Sequence, residues 1–192
     1  MKHNVKYYSG IGSRSTPEDI LSWMEKIAQF LAKQGITLRS GHAEGADYAF
    51  ELGAGHKAEI YLPWKRFNEE LDLSQNHAAK NYIVPNFGEK HEKVLSQIHP
   101  LSMSLSQGVK KLHMRNINQV LGKDVGNPVL SDFLICWTPN GEESKKDCTV
   151  KTGGTATAIK LAELNGVPVF NLKNKTAKVR LRKFCEEKGI IK

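Results

Sequence analysis

Short apolar runs alternate with helix-like stretches along most of this chain, and three of the junctions are glycine loops. They read SGIGSR (Ser9 to Arg14), RSGHAEGAD (Arg39 to Asp47) and KTGGTATA (Lys151 to Ala158). The first two follow an apolar run, and all three lead into a helix-like stretch. Glycines let backbone approach an anion closely, and a following helix offers its free N–H groups. The alternation predicts an α/β fold: a Rossmann-like, doubly wound, mostly parallel sheet with helices on both faces. Ligands of such sheets sit at the carboxyl ends of the strands, where strand order reverses. All three loops fall at strand carboxyl ends, so one crevice holding a nucleotide is expected.

The elements follow from local pattern. Strands are expected at Val5 to Tyr8, Ile36 to Arg39, Glu59 to Leu62, Phe133 to Trp137 and Val167 to Leu172. The run Phe133 to Trp137 is continuously apolar, as a buried parallel strand should be. Thr16-Pro17-Glu18-Asp19 opens the first helix, with Thr16 as N-cap and Pro17 in the first helical position. Ile20, Met24, Ile27, Ala28 and Leu31 keep helical spacing, and Gly35 ends the helix. Further helices are expected over Ala46–Gly53, Asn68–Tyr82, His91–Gln97, Ser104–Leu121, Gly154–Asn165 and Thr176–Lys188. The polar stretch from Thr138 to Thr152 is a long loop, of the kind that forms lids or binding segments. A length of 192 residues fits a single domain, with a helical insertion at about 64–126.

Composition is ordinary for a soluble globular chain, at 40% apolar and 25% charged. The net charge of +8 suits a phosphate-rich partner or a solvated basic surface, since Lys173, Lys175, Lys178, Arg180, Arg182 and Lys183 cluster near the C-terminus. Cys136, Cys148 and Cys185 are widely spaced and show no CxxC or zinc pattern, and MKHNVKYYSG has no apolar signal stretch. The cytoplasm is therefore the expected compartment, with no membrane span. No cofactor and no metal site is expected, because His77, His91, His99 and His113 are scattered.

Each loop offers specific groups. In the first, Gly10 and Gly12 permit a tight turn while Ser13 and Arg14 suit an anion; Ser15 breaks the dinucleotide GxGxxG pattern. In the second, Ser40, Gly41 and Gly45 suit phosphate or ribose, and Glu44 is an acidic candidate. Asp47 fits a ribose hydroxyl contact, a general base or a helix cap. In the third, Gly153, Gly154, Thr155 and Thr157 combine hydroxyls with a helix N-terminus. Arg115 and Asn116 lie on an expected helix, suiting phosphate and a base edge or else plain surface. Trp64, Phe67 and Tyr82 suit either base stacking or core packing.

Taken together, these motifs resemble the SLOG superfamily. That group includes the core domain of DNA-processing protein A (DprA), the lonely-guy (LOG) phosphoribohydrolases and sensor domains for nucleotide signals. SGHAEGAD looks like the DprA pattern SGxAxGxD at Ser40, Gly41, Ala43, Gly45 and Asp47. Arg115–Asn116 looks like the start of the DprA RNR motif, with Ile117 in place of its second arginine. The whole looks like a compact DprA-like form found in phage and bacterial genomes. The resemblance implies a crevice for nucleotide or nucleic-acid phosphate, and it makes Arg115 a site residue. LOG enzymes carry PGGxGTxxE; here Thr157 matches, but Ala156 replaces a glycine and Lys160 replaces the glutamate. A lysine does not stabilise an oxocarbenium ion as a carboxylate does, so hydrolysis would need Glu44, Asp47 or Glu51 instead. The first expectation is therefore binding of a nucleotide or nucleotide-derived small molecule. The alternatives are a DprA-like single-stranded DNA binder and a LOG-like nucleoside 5′-monophosphate N-glycosidase. A homo-oligomer is the expected assembly.

Overall fold

A computed structural model describes residues 4–73 and 81–191. Its centre is a six-stranded, wholly parallel sheet in the order β4-β3-β2-β1-β5-β6. The strands are β1 (Tyr7–Gly12), β2 (Thr37–Ser40), β3 (Ala58–Tyr61), β4 (Asn81–Ile83), β5 (Phe133–Trp137) and β6 (Val169–Asn171). From β1 the chain steps outward to β4, then returns to the other side of β1 for β5 and β6. The order therefore reverses between β1 and β5, and the carboxyl ends there form the natural ligand crevice.

The helices are α1 (Glu18–Lys33), α2 (Ala46–Ala54), α3 (Glu70–Leu73), α4 (Glu89–Ile98), α5 (Gln107–Leu121), α6 (Thr155–Leu164) and α7 (Ala177–Glu187). Two apolar cores lie on opposite faces of the sheet. One joins α1, α2 and α7 to the sheet through Met24, Leu31, Phe50 and Leu181; the other joins α4, α5 and α6 through Leu95, Ile117 and Ile159. Strand β5 shows the period of two that permits this. Phe133, Ile135 and Trp137 enter the first core, and Leu134 and Cys136 the second. This is the doubly wound fold that the alternation predicts.

Several local expectations need correction. Strand β1 continues through Gly12, so Gly10 and Gly12 are extended strand residues rather than turn residues. Their missing side chains make room instead. A Cβ on Gly10 would lie 2.6 Å from the Phe50 ring, and one on Gly12 would lie 2.7 Å from Ala46 Cβ and 2.9 Å from the Trp137 carbonyl. Thr16 does not cap α1; Pro17 occupies that position, and the Thr16 hydroxyl donates to the Ser13 carbonyl at 2.7 Å. Gly35 does take the left-handed conformation after α1, with φ of +85°. The segment at about 64–126 is not purely helical, because it supplies the edge strand β4. Of the helix expected over Asn68–Tyr82, Glu70–Leu73 is helical, Asn68 and Glu69 lie in a turn, Asn81 and Tyr82 belong to β4, and positions 74–80 lie outside the described residues. No helix among the described residues is long and apolar enough to cross a membrane.

Candidate functional site

A cavity of about 340 Å³ opens at the carboxyl ends of β1 and β5. All three glycine loops reach it. Gly12, Ser13 and Arg14 come from the first, Ala43 and Asp47 from the second, and Lys151 to Thr155 from the third. Helix α5 closes one side with Leu112, Arg115 and Asn116. The volume lies at the small end of the range for small-molecule sites, which runs from roughly 300 to 1,000 Å³.

Asp47 and Arg115 form the buried centre of this site. Asp47 stands in the first turn of α2 and accepts from Arg115 Nη1 at 2.9 Å and from the Gly12 N–H at 3.3 Å. Both side chains are almost wholly buried. Gly41 makes the pairing possible, since a Cβ there would stand 1.4 Å from Arg115 Nη1. The second loop thus supplies the slot through which the arginine of α5 reaches the aspartate. Burial pushes the Asp47 carboxyl up to about 6; Arg115 pulls against this, and the nearby Glu51 carboxylate adds to it. Arg115 Nε and Asn116 Oδ1 are buried polar atoms with no hydrogen-bond partner among the described residues. Asn116 uses its amide to donate to the Gly154 carbonyl at 2.8 Å, which fixes the third loop against α5.

That third loop begins α6. Gly154 is the N-cap and Thr155 the first helical residue, and both line the cavity. In the first turn of α6 the N–H groups of Ala156 and Thr157 donate to the Gly153 and Gly154 carbonyls at 3.1 and 3.2 Å, and the positive end of the helix dipole still favours an anion here. Gly153 holds φ of +64°, a conformation that glycine adopts at little cost.

The long loop after β5 is tied down rather than free. Buried Glu142 accepts from the hydroxyls of Thr138 and Thr152 and from Asn140 Nδ2. Burial would raise its carboxyl, but these hydrogen bonds outweigh burial and lower it overall. Asn171 donates to the Thr138 hydroxyl and to the Glu142 carbonyl. Glu143 accepts from the Asn171 N–H and pairs with Arg180 at 2.6 Å. Lys151 and Thr152, at the end of this loop, reach the cavity.

Of the expected site residues, the structure brings Gly12, Ser13, Arg14, Asp47, Arg115, Asn116, Gly153, Gly154 and Thr155 to the cavity wall. It places the rest elsewhere. Gly10 is buried under Phe50, and Ser40 donates to the Gly10 carbonyl at 2.8 Å. Gly41 faces Arg115, and Gly45 packs on the backbone of Ser13 and Arg14 with φ of +79°. Thr157 is buried and hydrogen-bonded to His113 Nδ1 at 2.7 Å. Glu44 is exposed and outside the lining. Glu51 is fully buried and holds the His42 ring at 2.8 Å. The residue reading missed Ile11, Ala43, Leu112, Lys151 and Thr152 as wall residues. It also missed the Asp47–Arg115 pair, which joins positions 68 residues apart.

The titrations of Asp47 and His113 oppose each other. With its folded value raised from 3.8 to about 6, Asp47 contributes stability that is present below 3.8 and lost as pH rises through 6. His113 is depressed from 6.5 to about 4, first by burial and then by His99, Lys160 and Arg115. Its contribution is present above 6.5 and lost as pH falls through 4. Asp47→Asn should therefore lose more stability on acidification than the native chain does, because the opposing aspartate slope is gone. Denaturant midpoints measured between about pH 4 and pH 7 would test this, and parallel curves for the two proteins would refute it.

No protein-family model and no curated protein matches the chain. Among solved structures it is similar to DNA processing protein A from Helicobacter pylori, a structure described for its single-stranded DNA binding mode. The likeness covers 99% of this chain and 75% of that one, with a TM-score of 0.52 and 18% identity. The fold of this chain is thus DprA-like.

Proposed function

We propose that this chain binds nucleotide phosphate in the crevice between its three glycine loops. The observation that carries this is Arg115. It is buried in the cavity wall, paired on one nitrogen with Asp47, and left with Nε unsatisfied. Buried polar atoms normally find partners, so an unsatisfied guanidinium nitrogen in a cavity wall is suited to an incoming acceptor. Guanidinium matches phosphate geometry, and the start of α6, tied to α5 through Asn116, adds the positive end of a helix dipole to the same cavity. In this reading Ser13 and Thr155 supply hydroxyls, and Arg14 and Lys151 supply charge at the exposed rim.

Single-stranded DNA is a second form of the same ligand chemistry. It is favoured by the likeness to the H. pylori protein and by the exposed cations Arg14, Lys111 and Lys151. A strand would place one phosphate in the crevice and others along those cations. N-glycosidase chemistry gains less support, since Asp47 is already engaged by Arg115 and Lys160 holds the LOG glutamate position. The SLOG resemblance, a cytoplasmic setting and a homo-oligomeric state belong to the same proposal.

The deciding experiment is a calorimetric and anisotropy panel of nucleoside monophosphates, oligothymidylate and duplex DNA, with a free-base assay run in parallel. Oligonucleotide binding that weakens with salt, by about 0.7 log units per log unit for each phosphate contact, selects the strand. Saturable mononucleotide binding without oligonucleotide binding selects the small ligand. No binding of either would overturn the proposal.

A further inference from the structure

The three aromatic residues with base-stacking potential are not equivalent in the structure. Phe67 is buried at 6% exposure and belongs to the core. Tyr82 lies on the edge strand β4, packed edge-on with the His42 ring at 5.3 Å. Trp64 is exposed at 40% and Tyr82 at 38%, and neither lines the cavity; Trp64 differs in packing on Phe67, the ring that neighbours Arg115. It follows β3 directly, after Leu62 and Pro63, and so stands at the same end of the sheet as the three loops. It packs perpendicular to Phe67, with ring centres 5.2 Å apart, and the Phe67 ring centre is 5.8 Å from the Arg115 guanidinium carbon. Two ring-sized steps therefore connect the buried cation of the crevice to an indole outside the cavity lining.

The turn bearing these rings is held in place. Arg66 and Asn68 flank Phe67 with φ of +62° and +51°, a left-handed pairing that is uncommon outside glycine. Asn68 donates to the His42 carbonyl at 2.9 Å, which ties the turn to the second loop. Tyr48 donates to the Leu71 carbonyl at 2.9 Å and ties its far side to α2. Phe67 engages at most one face of the indole, and an aromatic face accepts any base with little sequence preference.

We propose that Trp64 is a base-stacking residue that makes the crevice selective for base-bearing ligands over sugar phosphates. This rests on the phosphate reading of the crevice. Phosphate sits against Arg115 and the start of α6, while the base of the same or the adjoining nucleotide stacks on Trp64.

The test uses the full chain with two matched pairs of probes. One pair is labelled oligothymidylate and an abasic phosphodiester of equal length. The other is thymidine 5′-monophosphate and deoxyribose 5-phosphate. The native chain should prefer the base-bearing member of at least one pair by about 5- to 100-fold, the range expected for one base stacked on an aromatic side chain. Trp64→Ala should lose that preference by weakening the base-bearing probe and leaving the abasic one unchanged, and Trp64→Phe should restore most of it. A preference that persists in Trp64→Ala would overturn the stacking role, as would a native chain that binds both members of each pair equally. If the native chain binds none of the four probes, the phosphate reading itself fails, and this inference falls with it.

Discussion

Replacing Arg115 with alanine is expected to weaken binding of the cognate nucleotide or oligonucleotide by about 10- to 100-fold, the loss expected for a charged hydrogen-bond donor. Two structural facts set that size. The guanidinium is buried, so its interaction with a phosphate is weakly screened, and its Nε has no other partner among the described residues. The variant leaves Asp47 without its cation. A buried partner left unpaired usually costs about 3–5 kcal/mol; burial already raises this carboxyl to about 6 with Arg115 beside it, and without the cation it rises further and relieves part of that cost by taking up a proton. The double variant Arg115→Ala/Asp47→Asn separates the effects, since it removes the stranded charge while keeping the binding defect. Gly41→Ala should reproduce much of the binding loss with both charges present, because its methyl would occupy the position of Arg115 Nη1. Calorimetric affinities equal to the native value in the double variant and in Gly41→Ala would refute the crevice as the binding site.

A second large effect, on stability alone, comes from a glycine with no part in the site. Gly53 lies within α2, where a Cβ would stand 2.0 Å from the Glu25 carbonyl oxygen and 2.8 Å from Ala28 Cβ. Both obstacles belong to α1, and the nearer one is backbone, which cannot swing aside. In an open helix, glycine to alanine gains about 1 kcal/mol. Here overpacking costs about 1–3 kcal/mol or more and outweighs that gain. Gly53→Ala should therefore be net destabilising by about 2 kcal/mol, lowering the melting temperature by roughly 4–8 °C for a domain of this size. Gly108→Ala is the internal control. It lies in the first turn of α5 with nothing near its Cβ position, and should be neutral or slightly stabilising. If Gly53→Ala melts at or above the native temperature, α1 and α2 do not cross as closely as described.

What the sequence made legible follows from the range of the interactions involved. Strand β5 was readable to the residue because a run buried on both faces must be apolar throughout. Strand β4 was not, since Asn81 and Tyr82 are exposed and a three-residue edge strand carries no periodic pattern. The glycines at 10 and 12 announced a need for smallness without its reason. A turn and a close approach by Phe50 or Ala46 leave the same letter in the sequence. Arg115 was weak on spacing and became a candidate site residue through the SGxAxGxD and RN resemblance. Its ion pair with Asp47 depends on a crossing of α5 over the second loop that local pattern does not encode. Glu142 is harder still, because a buried carboxylate surrounded by Thr138, Asn140 and Thr152 looks like an ordinary polar loop until the chain folds back.

The anchoring of that loop has a thermodynamic consequence. Glu142, Glu143 and Asn171 fix the approach to the third glycine turn through hydrogen bonds within the chain itself. The entropy lost in ordering those residues is then charged to folding and not to association. A ligand bound against this wall would therefore lose less of its binding free energy to ordering the loop.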